Sequence, residues 1–428
     1  MKKLVDINTI YKEVESLDPN RILNLFKKLI NINTSVPPGN SYREYVDAIS
    51  PYFKELGYIL EEIIVPEDLI KQIPFPLEGP RINLVATKDF DQKEYVSFYG
   101  HMDVVPVPED NEKEWRFPPF EATMIKSGKI YGRGTADMKG DMVCLILALQ
   151  IIEKLKLTPK YNIRILNCTD EEIGIWPGIR YLKEKGYIKG FVFCMDTIIN
   201  PIILVGHAGN LNVIVETIGR SCHSGMNFLG VNALEEMFPI MEELLKLKKI
   251  VELRESIDIP GVRPSETGER MKMTPMFNLN IIRSGEKENI IPNHCSLTVN
   301  RRVIPDENIE DVKKEIEEAI NKGKAKSKAL DVKITYIHKY PALKNNLNSQ
   351  ALNRLKKVIQ LVQGIPEDRI SYVGDPGSTD MGFISEYDII NHGVANPGSN
   401  DHGINETVKL RDIRTFIKEL IVFLCADL

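Results

Sequence analysis

A chain of 428 residues, 43% hydrophobic and 27% charged, is long enough to bury more than one core and has the composition of a globular protein. Its formal net charge of −5 excludes the strongly basic balance of a nucleic-acid binder or of a protein held on an anionic membrane, so no nucleic acid and no membrane partner is expected. No long apolar stretch follows the N-terminal lysines and no run of about 18 apolar residues occurs, so neither a secretory leader nor a span is predicted and the expected location is cytoplasmic. The six cysteines (Cys144, Cys168, Cys194, Cys222, Cys295, Cys425) are scattered without a C-x-x-C pair. That predicts reduced, mostly buried thiols rather than a disulfide frame or a Cys-based metal site.

The spacing of apolar residues predicts a helix over about 21–30. Strand-like runs follow near 82–87 and 95–100. Residues 142–152 are apolar almost all round and too long for a strand, which predicts a buried helix. Next come a strand (163–168), a helix (about 176–185) and strands at 191–195 and 202–205. Strands alternating with helices predict an α/β/α domain with a mostly parallel, twisted sheet covered on both faces. From about residue 209 the pattern changes. Residues 211–217 alternate like an antiparallel strand, followed by a helix (233–249), strands at 276–282 and 295–303, a helix (307–322) and a strand (331–337). A small sheet with two helices in this order is the split βαβ, ferredoxin-like pattern. A helix over 350–363 and the loop Gly374 to Asp380 lead back toward the first domain. The expected organisation is therefore a first domain made of 1–208 and 340–428, interrupted by a smaller α+β domain at 209–339.

The residues that carry chemistry sit at the ends of the apolar runs. His101 and Asp103 close 95–100; Asp170, Glu171 and Glu172 close 163–168; Asp196 closes 191–195. In an α/β sheet, ligands collect at the carboxyl ends of strands. Buried carboxylates repel one another and are costly to desolvate, so several of them converging with histidines point to cations. With one residue between them, His101 and Asp103 face the same way on an extended chain. Asp103 is then expected to hold one imidazole nitrogen while the other is free for a metal. Asp137, in Gly-Arg-Gly-Thr-Ala-Asp-Met-Lys-Gly (132–140), suits equally an N-cap for the helix that follows and a carboxylate projected from a tight loop. Of two adjacent glutamates, one can coordinate while the other takes a proton. His402 lies in a Gly/Asn-rich loop near the C-terminus.

Together these motifs resemble the M20 family of di-zinc peptidases and deacylases. The matching stretches are His101 to Pro106, Trp115 with Pro119-Phe120, Gly128 to Gly140, Asp170 to Gly174, Gly219 to Ser224, Asn289 to Pro292, Arg302 to Pro305, and His402 to Glu406. They run in family order over nearly the whole chain. The resemblance implies two Zn²⁺ per subunit, with Co²⁺ or Mn²⁺ as substitutes in such N/O sites. Asp137 matches the carboxylate that bridges both ions, His101 and Asp196 the other ligands of one, Glu172 and His402 those of the second. Glu171 matches the general base and Asp103 the carboxylate behind His101. A cis peptide between Asp137 and Met138 is implied as well. Three ligand carboxylates against two dications leave about +1, which favours a bound hydroxide near neutral pH.

On the same basis the inserted domain is a lid and dimerisation domain, with a hinge near 206–209 and 338–342. His223 matches a residue that reaches from one subunit into the partner's active site, which implies a homodimer. Asn289 and Arg302 match contacts to the substrate's carboxylate end, a role for which arginine's planar fork is suited; Arg301 next door leaves the register open. Gly377, Ser378 and Thr379 belong to a loop resembling the family's glycine-rich substrate loop. Asp141, where relatives carry a small residue, is expected either to tune the metal site or to cap its helix. The segments 67–81 and 254–272 look like insertions with no assignable role. The function so implied is metal-dependent hydrolysis of the amide bond of a small N-acyl amino acid, of the acetylornithine deacetylase or succinyl-diaminopimelate desuccinylase type. The alternatives are a carboxypeptidase or dipeptidase acting on short peptides and, remotely, a non-catalytic metal-binding protein.

Overall fold

The computed structural model describes residues 6–174, 177–199, 201–264 and 270–428. The chain divides into two compact units: Met1–Val205, Asn345–Tyr372 and Phe383–Leu428 form the first, Gly206–Lys344 and Val373–Gly382 the second.

The first unit is built on a six-stranded mixed sheet in the order Ile59–Ile64, Ile82–Lys88, Asn162–Cys168, Tyr95–His101, Phe191–Cys194, Ile389–Asn391. The first two pairings are antiparallel and the last three parallel. Strands covered on both faces are buried along their length rather than on alternate residues, and all seven residues of Asn162–Cys168 are buried, Asn162, Arg164 and Asn167 among them. Helix Lys139–Lys154 is buried nearly all round and packs on helix Leu410–Cys425. Gly140, in its first turn, has no substitute: a Cβ there would lie 2.0 Å from the carbonyl oxygen of Thr135. The loop 132–138 can press onto the helix only because that side chain is missing. The helix expected over about 176–185 runs as Ile179–Glu184 behind Gly178, and residue 176 lies outside the described residues.

The segment 67–81 ends on Arg81, which is fully buried. Its Nε lies 3.3 Å from Asp170 Oδ2, its Nη2 donates to the carbonyl of Pro38 at 2.6 Å, and Tyr42 donates its hydroxyl to Asp170 Oδ1 at 2.9 Å. Removing one partner of a buried ion pair strands the other charge. Arg81→Ala is therefore expected to lower unfolding free energy by about 3–5 kcal/mol, measured by chemical denaturation. A loss near zero would show that the pair does not stabilise the turn that carries Glu171 and Glu172.

The second unit contains a four-stranded antiparallel sheet in the order Met276–Ser284, His294–Val303, Gly209–Ile218, Asp331–Tyr340. In chain order these are strands two, three, one and four, the ferredoxin-like arrangement. Helices Ala233–Val251 and Ile309–Lys324 cover one face, where Leu211, Val213, Val215, Leu297 and Val299 join Ile240, Leu244 and Ile316 in a single core. Alternation along the strands sends the other face's residues, among them Asn212, Asn300 and Arg302, away from that core. Part of the segment 254–272 forms a hairpin, Pro260–Pro264 with Arg270–Lys272; residues 265–269 lie outside the described residues. For its longer excursion, 206–344, the chain leaves the first unit and returns to it along one ladder. Asn345 donates to the carbonyl of Val205 at 3.0 Å, Lys344 pairs with Gly206 and Leu343 with His207.

Five of the six cysteines are buried and Cys222 is partly exposed. Among the described residues no helix is long and apolar enough to cross a membrane.

Candidate metal centre

Three adjacent parallel strands deliver their carboxyl ends to one place. His101 ends the central strand and pairs in register with Cys168 of one neighbour, while Tyr99 pairs with Cys194 of the other. The chain beyond Cys168 reaches Glu171 and Glu172 in a short 3₁₀ turn, and the chain beyond Cys194 reaches Asp196 two residues on. Asp137 comes from the loop ahead of the buried helix, and His402 from the loop before strand Thr407–Lys409.

The result is two groups of candidate ligands: His101, Asp137 and Asp196, and Asp137, Glu172 and His402, the ligand atoms in each lying within 4.8 Å of one another. Asp137 belongs to both. His101 Nε2 is 3.0 Å from Asp137 Oδ1 and 3.7 Å from Asp196 Oδ2. His402 Nε2 is 2.7 Å from Asp137 Oδ2 and 3.1 Å from Glu172 Oε2. His101 Nε2, Asp137 Oδ1 and Glu172 Oε1 are buried yet make no hydrogen bond. Buried polar atoms without partners are costly unless something else satisfies them, and an imidazole with carboxylate oxygens is a donor set for a borderline or hard divalent cation. The residues fit such ions. The Asp137–Met138 peptide bond is cis, as the family resemblance implied.

The electrostatics of the groups agree. Burial disfavours a charged His101, but Asp103, Asp137 and Asp196 outweigh it and hold the imidazole well above its usual range. Asp137 and Glu172 push His402 up to about 12. Burial, with Asp137 next, pushes Glu172 up to about 7. The carboxylates thus draw protons onto both histidines, and a metal must displace them. Affinity is therefore expected to rise with pH through the neutral range, with net proton release on binding. Titration calorimetry in buffers of different ionisation enthalpy measures this, and metal uptake without proton release would contradict it.

Asp103 has two neighbours. His101 Nδ1 lies 3.1 Å from its carbonyl oxygen and 3.6 Å from its carboxylate Oδ1. The other carboxylate oxygen, Oδ2, accepts the backbone N–H of Glu172 at 2.9 Å, joining the ends of two strands. Asp141 is not a cap. It is buried, accepts the N–H of Val394 at 2.7 Å, and is held well above the usual carboxylate range by burial and by Asp196 and Asp137.

The remaining candidates lie in the second unit. His223 is exposed. Gly225 donates to its Nδ1 at 3.1 Å, which leaves the proton of a neutral ring on Nε2, a donor. Asn289 is beside it: its carbonyl accepts the N–H of Ser224 at 2.9 Å. Arg301 and Arg302 separate by strand alternation. Arg301 is buried and paired with Glu307, whereas Arg302 is half-buried and donates to Ser378 Oγ at 2.7 Å. The N–H of Gly377 is donated to Asp375 Oδ1 at 2.7 Å. Thr379 is buried and its hydroxyl accepts from Met381.

Glu406 and Arg133, to which the sequence assigned no role, are at the centre of the site's support. Both lie inside the motifs quoted above, and the signal was a buried-type Arg and Glu flanking ligands in two loops.

An α/β unit that gathers two carboxylate–histidine groups around one shared aspartate, with a buried glutamate alongside, is the framework of a metallohydrolase. Residues 97–424 match peptidase family M20/M25/M40, and the chain belongs to that family. It is similar to a probable succinyl-diaminopimelate desuccinylase of Staphylococcus aureus, 26% identical over 329 residues, covering 72% of this chain and 77% of the relative. It is equally similar to the N-formyl-4-amino-5-aminomethyl-2-methylpyrimidine deformylase of Bacillus subtilis, 26% identical over 329 residues and covering 74% and 70%. Among solved structures, an M20 family metallo-carboxypeptidase from Sulfolobus solfataricus superposes with a TM-score of 0.73 at 19% identity, over 95% of this chain and 98% of that one.

Proposed function

We propose that this M20 hydrolase cleaves the amide bond of a small N-acyl amino acid, using two divalent ions, preferentially Zn²⁺, per subunit. The observation that carries this reading is Asp137, whose two oxygens face His101 on one side and His402 on the other, with Glu171 next in sequence to a ligand of the second group. When bound, the ions supply Lewis acidity and lower the pKa of a coordinated water. Glu171 takes the proton of the attacking water and returns it to the leaving amine. Asp103 stands behind His101 and also fixes the backbone of Glu172, and so the spacing of base and ligand. His223 offers Nε2–H to the developing oxyanion from a second subunit. Arg302, oriented by Ser378, takes the substrate carboxylate in a two-pronged contact, with Asn289 and Thr379 as further contacts of the same group.

Association into a homodimer through the second unit is part of this reading. Phe228, Phe238, Ile281 and Ile282 are at least 45% exposed there, and strand Met276–Ser284 is the edge of its sheet among the described residues. Apolar surface of that kind marks a partner-binding face. The two relatives are a probable desuccinylase and a deformylase, both removing acyl groups by name, which favours the deacylase side over a peptidase. The expected location remains the cytoplasm.

Amine release from N-acetylornithine, N-succinyl-diaminopimelate, other N-acyl amino acids and dipeptides, with protein reconstituted in Zn²⁺ or Co²⁺, tests the reading. A metal-dependent preference for one N-acyl amino acid is expected. Cleavage of dipeptides alone would move the protein to the peptidase side, and silence across the panel would sink the proposal.

A further inference from the structure

Two loops carry ligands of the second group, 132–138 with Asp137 and 399–406 with His402. They flank paired strands: Thr407 pairs with Tyr131 and Val408 with Ile130. Strand pairing alone brings them near but does not set where Asp137 and His402 lie. That is done by two further side chains. Glu406 is fully buried. Its Oε2 accepts Arg133 Nη1 at 2.7 Å and the N–H of Gly134 at 3.0 Å. Its Oε1 accepts the N–H of Ala136 at 2.8 Å and of Asp137 itself at 3.1 Å. Arg133 Nη2 then donates back to the carbonyls of His402 at 3.2 Å and Gly403 at 3.1 Å. The guanidinium lies 5.4 Å over the ring of Trp115, which fixes its plane.

The second loop needs such a brace. Asn400, His402 and Asn405 all have left-handed backbone angles, φ of 57°, 58° and 63°, a conformation that costs free energy for residues other than glycine and persists only where the surroundings impose it. Both oxygens of Glu406 face donors only. A carboxylate, which accepts and never donates, meets that demand, and an amide cannot.

We propose that Arg133 and Glu406 are positioning residues that join the two loops into one rigid piece and thereby set the affinity of the second ion, the one taken by Asp137, Glu172 and His402. The inference rests on the dinuclear reading above. It predicts a pattern that a merely structural pair would not give. Arg133→Lys keeps a cation against Glu406 but loses the fork to His402 and Gly403, so the second ion alone is weakened. Glu406→Gln sets an amide N–H₂ against two donors beside Asp137, so both ions are weakened, since they share that aspartate.

The test is titration of the metal-free full chain with Zn²⁺ by calorimetry and with Co²⁺ by its visible spectrum, with circular dichroism as the check on folding. Wild type is expected to take two equivalents. In Arg133→Lys the second binding event is expected to weaken about 10–100-fold, the range for partners behind metal ligands, with the first event unchanged and activity recovered at high metal. Two events of wild-type affinity in Arg133→Lys, or equal loss of both, overturns the proposal while leaving the dinuclear reading intact. A wild-type chain that takes no second ion overturns both. Should Glu406→Gln not fold, Arg133→Lys decides alone.

Discussion

Glu171→Gln is expected to lower kcat by about 10²–10⁴-fold, the range for loss of a general base, with metal content unchanged. Glu171 is buried and precedes Glu172 in the same 3₁₀ turn, so the isosteric amide can keep the turn while losing the ability to accept a proton. The turn is independently anchored by Asp103 on the N–H of Glu172 and by Arg81 and Tyr42 on Asp170, which argues that the ligand beside the base will not move. The measurement is steady-state kinetics with metal analysis on the same sample. Full activity in the variant would remove Glu171 from the chemistry; lost activity together with lost metal would make it a ligand rather than a base.

Asp137→Asn is expected to abolish detectable activity and to take the protein from two metal equivalents to one or fewer. An amide presents one oxygen where the carboxylate presents two, and here the two oxygens face different groups. The substitution also removes one of three negative charges from the ligand set, which weakens attraction for a second dication. Metal analysis after gel filtration checks the outcome. Two tightly held ions in this variant would show that Asp137 does not link the groups.

Much of this site could be read from residue order, because the fold puts strand ends where apolar runs end. His101, Glu172 and Asp196 close runs that are buried strands, and an α/β sheet brings such ends together whatever the details of its helices. The ferredoxin-like order of the insert followed from periodicity, since antiparallel strands with one covered face alternate. What sequence could not supply was side-chain direction beyond a strand end. Asp103 sits past the strand end at His101, and nothing in the sequence shows that one of its carboxylate oxygens also holds the N–H of Glu172. Nor could it supply partners distant in the chain. Arg81 and Asp170, or Arg133 and Glu406, meet only after the sheet is assembled, and nothing local to either residue announces the other. Arg301 and Arg302 were resolvable in principle: once the register with Leu211 and Asn210 is known, the pleat sends one to Glu307 and the other to Ser378.

The ladder at the two ends of the longer excursion into the second unit, 206–344, bears on how the protein melts. Because Val205, Gly206 and His207 face Asn345, Lys344 and Leu343, the ends of that excursion are held together by the strands themselves. Loop-closure entropy then depends little on whether the intervening residues are ordered, and each unit has its own core to lose. Heating is therefore expected to give a calorimetric trace wider than one all-or-none transition, its van't Hoff enthalpy falling below the measured heat. Substitutions at Arg81 and at Arg301 would shift different parts of that trace, and a single Tm for this chain would average two unlike quantities.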